Sequence, residues 1–183
     1  LTALTTSGNG QSGAMFDVVN ISASAMNIGS IDQCFFSGTS NNMYIYTKTG
    51  TWNGFQANPG AWTLVGGPVV TPHGVAPQLD PIPIVVNVTI PPGQTQAFYV
   101  TGDAATTVAY TNGTAAPLVI GGVIASNADL QILGGIGVAY PFGAAFGLPT
   151  IGRLFNGRIN YCPVGAGTVF ATNTSLGTGC YLK

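Results

Sequence analysis

Charge is the first thing this sequence lacks. Of its 183 residues, Asp, Glu, Lys and Arg together make up 5%, where about a quarter is usual in soluble proteins. The cations are Lys48, Arg153, Arg158 and Lys183, the anions are five aspartates, and glutamate is absent. A net charge of −1 cannot neutralise a run of phosphates, which excludes nucleic acid as a partner. It equally excludes a basic helix lying on a membrane surface. Long unbroken apolar runs are missing too. The uncharged stretch 130–152 is interrupted by six glycines and by Pro141 and Pro149, so no membrane span is expected. Histidine occurs once and cysteine three times, with no zinc spacing, no C-x-x-C and no clustered oxygen ligands for calcium. No metal and no cofactor are expected.

What remains is apolar and neutral-polar. Hydrophobic residues make up 46% and aromatics 10%, which excludes a disordered chain. The length suits one ordinary domain with a real core. Mean hydropathy is +0.39, so the exterior needs either burial against copies of the same chain or neutral polar groups and glycans in place of charge. The chain starts at Leu1 instead of Met, and a processing event is expected upstream of it.

Thr, Val, Ile, Tyr, Gly, Asn and Pro recur throughout, a mixture that suits short strands joined by turns. Met43-Tyr44-Ile45-Tyr46-Thr47-Lys48 alternates, with Tyr44, Tyr46 and Lys48 on one face. Ile84, Val86, Val88 and Ile90 alternate against Asn87 and Thr89, as a half-buried strand does. The turn Pro91-Pro92-Gly93 then leads into a second strand over 96–101. Further strands are expected over 15–22, 26–36, 61–65, 69–71, 106–110, 118–124, 130–139 and 154–161. Around ten short strands predict an all-β fold, an Ig-like or jelly-roll β-sandwich.

The amino terminus reads differently. Leu1-Thr2-Ala3-Leu4-Thr5-Thr6 is β-prone, and Ser7-Gly8-Asn9-Gly10-Gln11-Ser12-Gly13 behind it reads as a flexible tether. A strand on such a leash can pair with a neighbour's open sheet edge; a frayed tail is the alternative. The organisation predicted is a donor strand and linker over 1–13, a β-sandwich over 14–162, and an extension over 163–183 packed on the sandwich.

Motifs with chemical meaning are few. Gly8-Asn9-Gly10-Gln11-Ser12-Gly13 spells G-x-G-x-x-G, but a strand-like run follows where a dinucleotide site needs a helix. His73 lies in the turn sequence Thr71-Pro72-His73-Gly74 and reads as a surface or turn histidine. Asp17, Asp32, Asp80, Asp103 and Asp129 are scattered and read as turn or strand-end acceptors in place of an acid–base pair. No catalytic activity is expected. Trp52, Phe55 and Trp62, with Tyr44 and Tyr46 upstream, make either a sugar-stacking platform or, preferably, core or assembly contacts. Cys162–Cys180 is the preferred bridge, with Cys34–Cys162 the alternative. Asn20, Asn87, Asn112 and Asn173 head N-x-[ST] sequons and are candidate glycan acceptors.

Taken together, Ala14-Met15-Phe16-Asp17-Val18, Thr89-Ile90-Pro91-Pro92-Gly93, Phe98-Tyr99-Val100-Thr101 and Tyr110-Thr111-Asn112-Gly113 resemble a poorly characterised family of secreted bacterial β-sandwich domains. Ala128-Asp129-Leu130, Tyr140-Pro141-Phe142-Gly143 and Asn156-Gly157-Arg158-Ile159-Asn160-Tyr161 continue the likeness, which stops before the tail from Cys162. More narrowly, the N-terminal strand and charge-poor body resemble the protomer of bacterial pilus-like fibrils assembled by donor-strand exchange. That resemblance implies an extracellular, cell-surface homopolymer with heterologous contacts and no catalytic residues. The alternative is a secreted carbohydrate-binding or adhesive module with surface glycans as partners.

Overall fold

The computed structural model describes residues 1–165 apart from 106 and 150, together with the backbone of two further strands. The strands, in chain order, are β1 (Asn9–Gln11), β2 (Gly13–Asn20), β3 (Met26–Gln33), β4 (Ser40–Thr49), β5 (Thr63–Pro72), β6 (Asp80–Pro81), β7 (Val88–Ile90) and β8 (Thr95–Gly102). They continue with β9 (Val108–Asn112), β10 (Val123–Ser126), β11 (Leu130–Val138), β12 (Ala145–Phe146), β13 (Arg153–Phe155), β14 (Gly157–Pro163), β15 (Thr168–Asn173) and β16 (Gly177–Leu182). The fold is an all-β sandwich of antiparallel sheets, as expected, with a 3-10 turn at Pro59–Ala61. No helix among the described residues is long and apolar enough to cross a membrane.

The large sheet runs β1-β9-β13-β11-β2-β8-β4-β5, with β10 and β12 also on β11. The small sheet runs β14-β3-β6, with β7 also on β3. Their facing sides enclose a core in which Phe16 stacks on Phe155 at 4.0 Å and on Phe98 at 6.1 Å, ringed by Ile28, Ile31, Ile45 and Val100. Each such side chain contributes roughly 1.5–3 kcal/mol by leaving water. β4 is the clearest case of sequence dictating face, because Met43, Ile45 and Thr47 are buried while Asn42, Tyr44, Tyr46 and Lys48 are half-exposed.

The central strands β2 and β8 are buried on both faces, because the outer side of the large sheet carries a second core. Met15, Trp52, Trp62, Tyr99, Ile136 and Val138 form it, and Phe142 closes over it. The bulge between Leu133 and Ile136 in β11 needs glycine, since a Cβ on Gly135 would stand 1.7 Å from the carbonyl oxygen of Met15.

Several expectations shift in detail. The runs expected over 61–65 and 69–71 are one bulged strand, β5. Along 84–90 the face is as expected, with Ile84, Val86 and Ile90 buried, but only β7 joins the ladder. Between β6 and β7 the amides of Ile82 and Val86 reach the carbonyls of Ile31 and Gly29 without forming a continuous ladder. The run over 154–161 is split at Asn156, where the chain leaves the large sheet as β13 and enters the small one as β14. The tether expected over 7–13 is not one. Asn9–Gln11 pairs with β9 and Gly13 opens β2, so the free link shrinks to Ser7 and Gly8. In the extension, β15 and β16 pair as an antiparallel hairpin.

Candidate functional site

The site is the seat of the N-terminal segment on β14. Leu1 donates its ammonium to the carbonyl of Ile159 at 2.7 Å, and the amide of Ile159 returns a bond to the carbonyl of Leu1 at 2.9 Å. Ala3 donates to the carbonyl of Gly157 at 2.9 Å. Thr2 thus forms an isolated antiparallel bridge with Arg158 along the edge of β14, and Leu4 an isolated parallel one with Asn156. Alternation follows: Leu1 and Ala3 pack against the inter-sheet core, while Thr2 faces solvent.

The segment ends in a clasp. Asn156, fully buried at the crossing between the sheets, donates its amide to the carbonyl of Thr6 at 2.7 Å. The Thr111 hydroxyl reaches both that carbonyl and the Oδ1 of Asn156. Asn156 is held in turn by its own carbonyl, which accepts from the amide of Cys34 and the side chain of Gln33. Outward from the seat, Arg158 bonds Asp32, which also accepts from Asn160. Burial lowers the pKa of the Leu1 ammonium, Arg158 adds repulsion, and Asp32 opposes both.

Leu1, Thr2, Ala3, Leu4, Thr5 and Thr6 therefore do not leave their own body in this single chain, as a lent strand would. They complete it in cis. What the geometry creates is a strand-shaped seat with a backbone ladder on one side, apolar core beneath and a polar clasp at the end.

The other candidate residues take structural roles. Trp52 and Trp62 are 2% and 8% exposed, so they are core and no sugar platform; Phe55 is the exposed member of that set. His73 is buried, correcting the surface reading. It stacks on Phe35 at 3.8 Å, donates from Nδ1 to the carbonyl of Gly74, and accepts at Nε2 from Asn41. The carboxylates act as acceptors: Asp17 for Thr51 and Trp52, Asp80 for Gly74 and Gln78, Asp103 for Asn42, and Asp129 for Tyr161.

Asn20 is corrected as a glycan acceptor. It is fully buried, and its amide nitrogen is committed to the carbonyls of Ser24 and Ile90. Asn87 and Asn112 are exposed, whereas Asn173 lies outside the residues whose side chains are described. Cys162 is disulfide-bonded and Cys34 is free and buried, which excludes a Cys34–Cys162 bridge. The side chain of Cys180, the preferred partner, lies outside the described residues.

Missed from sequence was the clasp. In sequence Asn156 is one polar residue in an expected strand and opens one of the motifs of the family likeness, and nothing local marks it as the point where two sheets and the chain start meet. No family model, no curated protein and no solved structure matches this chain.

Proposed function

We propose that the protein is a structural subunit of an extracellular pilus-like fibril, in which residues 1–6 of one copy occupy the β14 seat of the next. The observation that carries this is the seat itself, an edge position filled by residues 1–6, which join the body through Ser7 and Gly8. A segment so placed exchanges between copies without refolding the sandwich. Passed head to tail from copy to copy, the contact is heterologous and propagates as a filament where its rotation does not close.

The body surface suits burial against copies of itself. It is nearly charge-free and exposes Leu64, Val70, Val75, Val85 and Ile151. The likeness of its strand and turn motifs to secreted bacterial sandwich domains points to the same setting.

The test is negative-stain imaging of the native protein and of a chain lacking residues 1–6. Filaments are expected from the first and a folded, non-polymerising body from the second. Unchanged filaments after the deletion would remove strand exchange as the mechanism, and the absence of any polymer in the native protein would remove the fibril.

A further inference from the structure

The small sheet has two edges that differ in how they are covered. Residues 1–6 lie along the β14 edge. On the opposite side β6 and β7 both pair with β3, and among the described residues nothing pairs with their outward side. An open edge invites another strand, and proteins guard such edges with charge or proline. Prolines stand at 81 and 83, but from Ile84 to Ile90 there is neither proline nor charge, and no charged residue occurs anywhere from 81 to 102. Val85 is 49% exposed on this stretch.

Asn87 stands directly before β7 on the same exposed side as Val85 and Thr89. Its φ of +49° is left-handed backbone, which asparagine tolerates better than most residues. Its Oδ1 accepts from the amide of Asn27 at 2.9 Å, and the same amide reaches the Oγ1 of Thr89 at 3.2 Å. One side chain of β3 therefore holds both polar residues of the sequon Asn87-Val88-Thr89 by their oxygens. The Nδ2 of Asn87 makes no hydrogen bond among the described residues. A sugar attached to it costs the fold none of its bonds, whereas one on Asn20 would displace two buried ones. Asn112, the other exposed sequon asparagine, lies on β9 between β1 and β13, where there is no edge to guard.

We propose that Asn87 carries an N-linked glycan, a neutral and hydrated group standing where other proteins place an edge lysine. In the transfer the Nδ2 forms a bond to the anomeric carbon of a lipid-pyrophosphate-linked oligosaccharide. That carbon's bond to the phosphate oxygen breaks, the lipid pyrophosphate leaves, and the amide gives up one proton. The site does not depend on strand exchange at β14.

The test is mass spectrometry of the full chain purified from the cells that make it. Cleavage before Asp80 and Asp103 releases residues 80–102, in which Asn87 is the sole asparagine. That peptide is expected to be heavier by a whole number of sugar residues, with fragment ions placing the addition on Asn87. Made in the same cells, Thr89→Ala should abolish the addition, because the sequon is lost while the asparagine remains, and Thr89→Ser should retain it. An unmodified 80–102 peptide from the native protein would overturn the assignment. So would the same addition surviving in Thr89→Ala, or fragment ions placing it on a threonine.

Discussion

Deleting residues 1–6 tests how the seat is balanced, and the structure allows the magnitude to be worked out. Five hydrogen bonds join the segment to the body: Leu1 with Ile159 twice, Ala3 with Gly157, and Thr6 with Asn156 and Thr111. At about 0.5–1.5 kcal/mol net each, they contribute roughly 5 kcal/mol. Partial burial of Leu1 and Ala3 adds on the order of 1–2 kcal/mol. Ordering six residues costs about 1–2 kcal/mol each, or roughly 6–12 kcal/mol. The two sides cancel to within a few kcal/mol, so the cis seat is held weakly against release. The deletion should therefore lower unfolding stability by no more than about 2 kcal/mol, or roughly 4–8 °C in Tm for a chain of this size. Urea denaturation at low protein concentration measures it, with the midpoint moving and the slope nearly kept. A loss above about 4 kcal/mol would refute the reasoning, because a segment bound that firmly is part of the fold and not available for exchange.

Other consequences are equally direct. Burial holds the Asp17 carboxyl above the usual aspartate range, against the bonds from Thr51 and Trp52 and the pull of Lys48. The folded chain thus binds that proton more tightly than the unfolded one, so this contribution is full below the ordinary aspartate pKa and is lost as pH rises through the folded value. Asp17→Asn should remove that component from a stability profile taken over about pH 3–7, and identical slopes for variant and parent would contradict it. Burial, with Asp80 nearby, pushes the Cys34 thiol up to about 11, so a thiol reagent at neutral pH should label it only in denaturant. Rapid labelling of the native chain would show the site to be open. Asn20→Ala strands the carbonyls of Ser24 and Ile90 and should cost about 2–3 kcal/mol in chemical denaturation. In a glycosylating host, glycopeptide mapping should find Asn20 unmodified.

Much of the architecture is legible in the amino-acid sequence. A two-residue period survives translation into structure wherever one face is buried, which is why β4 and the even residues of 84–90 sit as expected. Ladder membership was less legible. Ile84 and Val86 keep the face although only β7 of this run joins the ladder, and periodicity registers only the face. The aromatic cluster was ambiguous for a different reason. Trp52 and Trp62 look the same in sequence whether their rings meet solvent or a second core, and the choice depends on the loops that cover the outer face of the large sheet.

The sequence by itself determined an all-β chain, nearly free of charge, with a β-prone start. These follow from residue type and spacing, which act locally. Tertiary structure alone decided where the start of the chain goes and what holds it. Ile159, Gly157, Thr111 and Asn156 are more than a hundred residues away in sequence, and only the crossing of β13 into β14 brings their backbone and polar groups to the same edge. The outer face of β4 follows the same rule: the strand supplies Asn42, Tyr44 and Tyr46, and the fold adds Asp103, Tyr140 and Phe142 from distant loops.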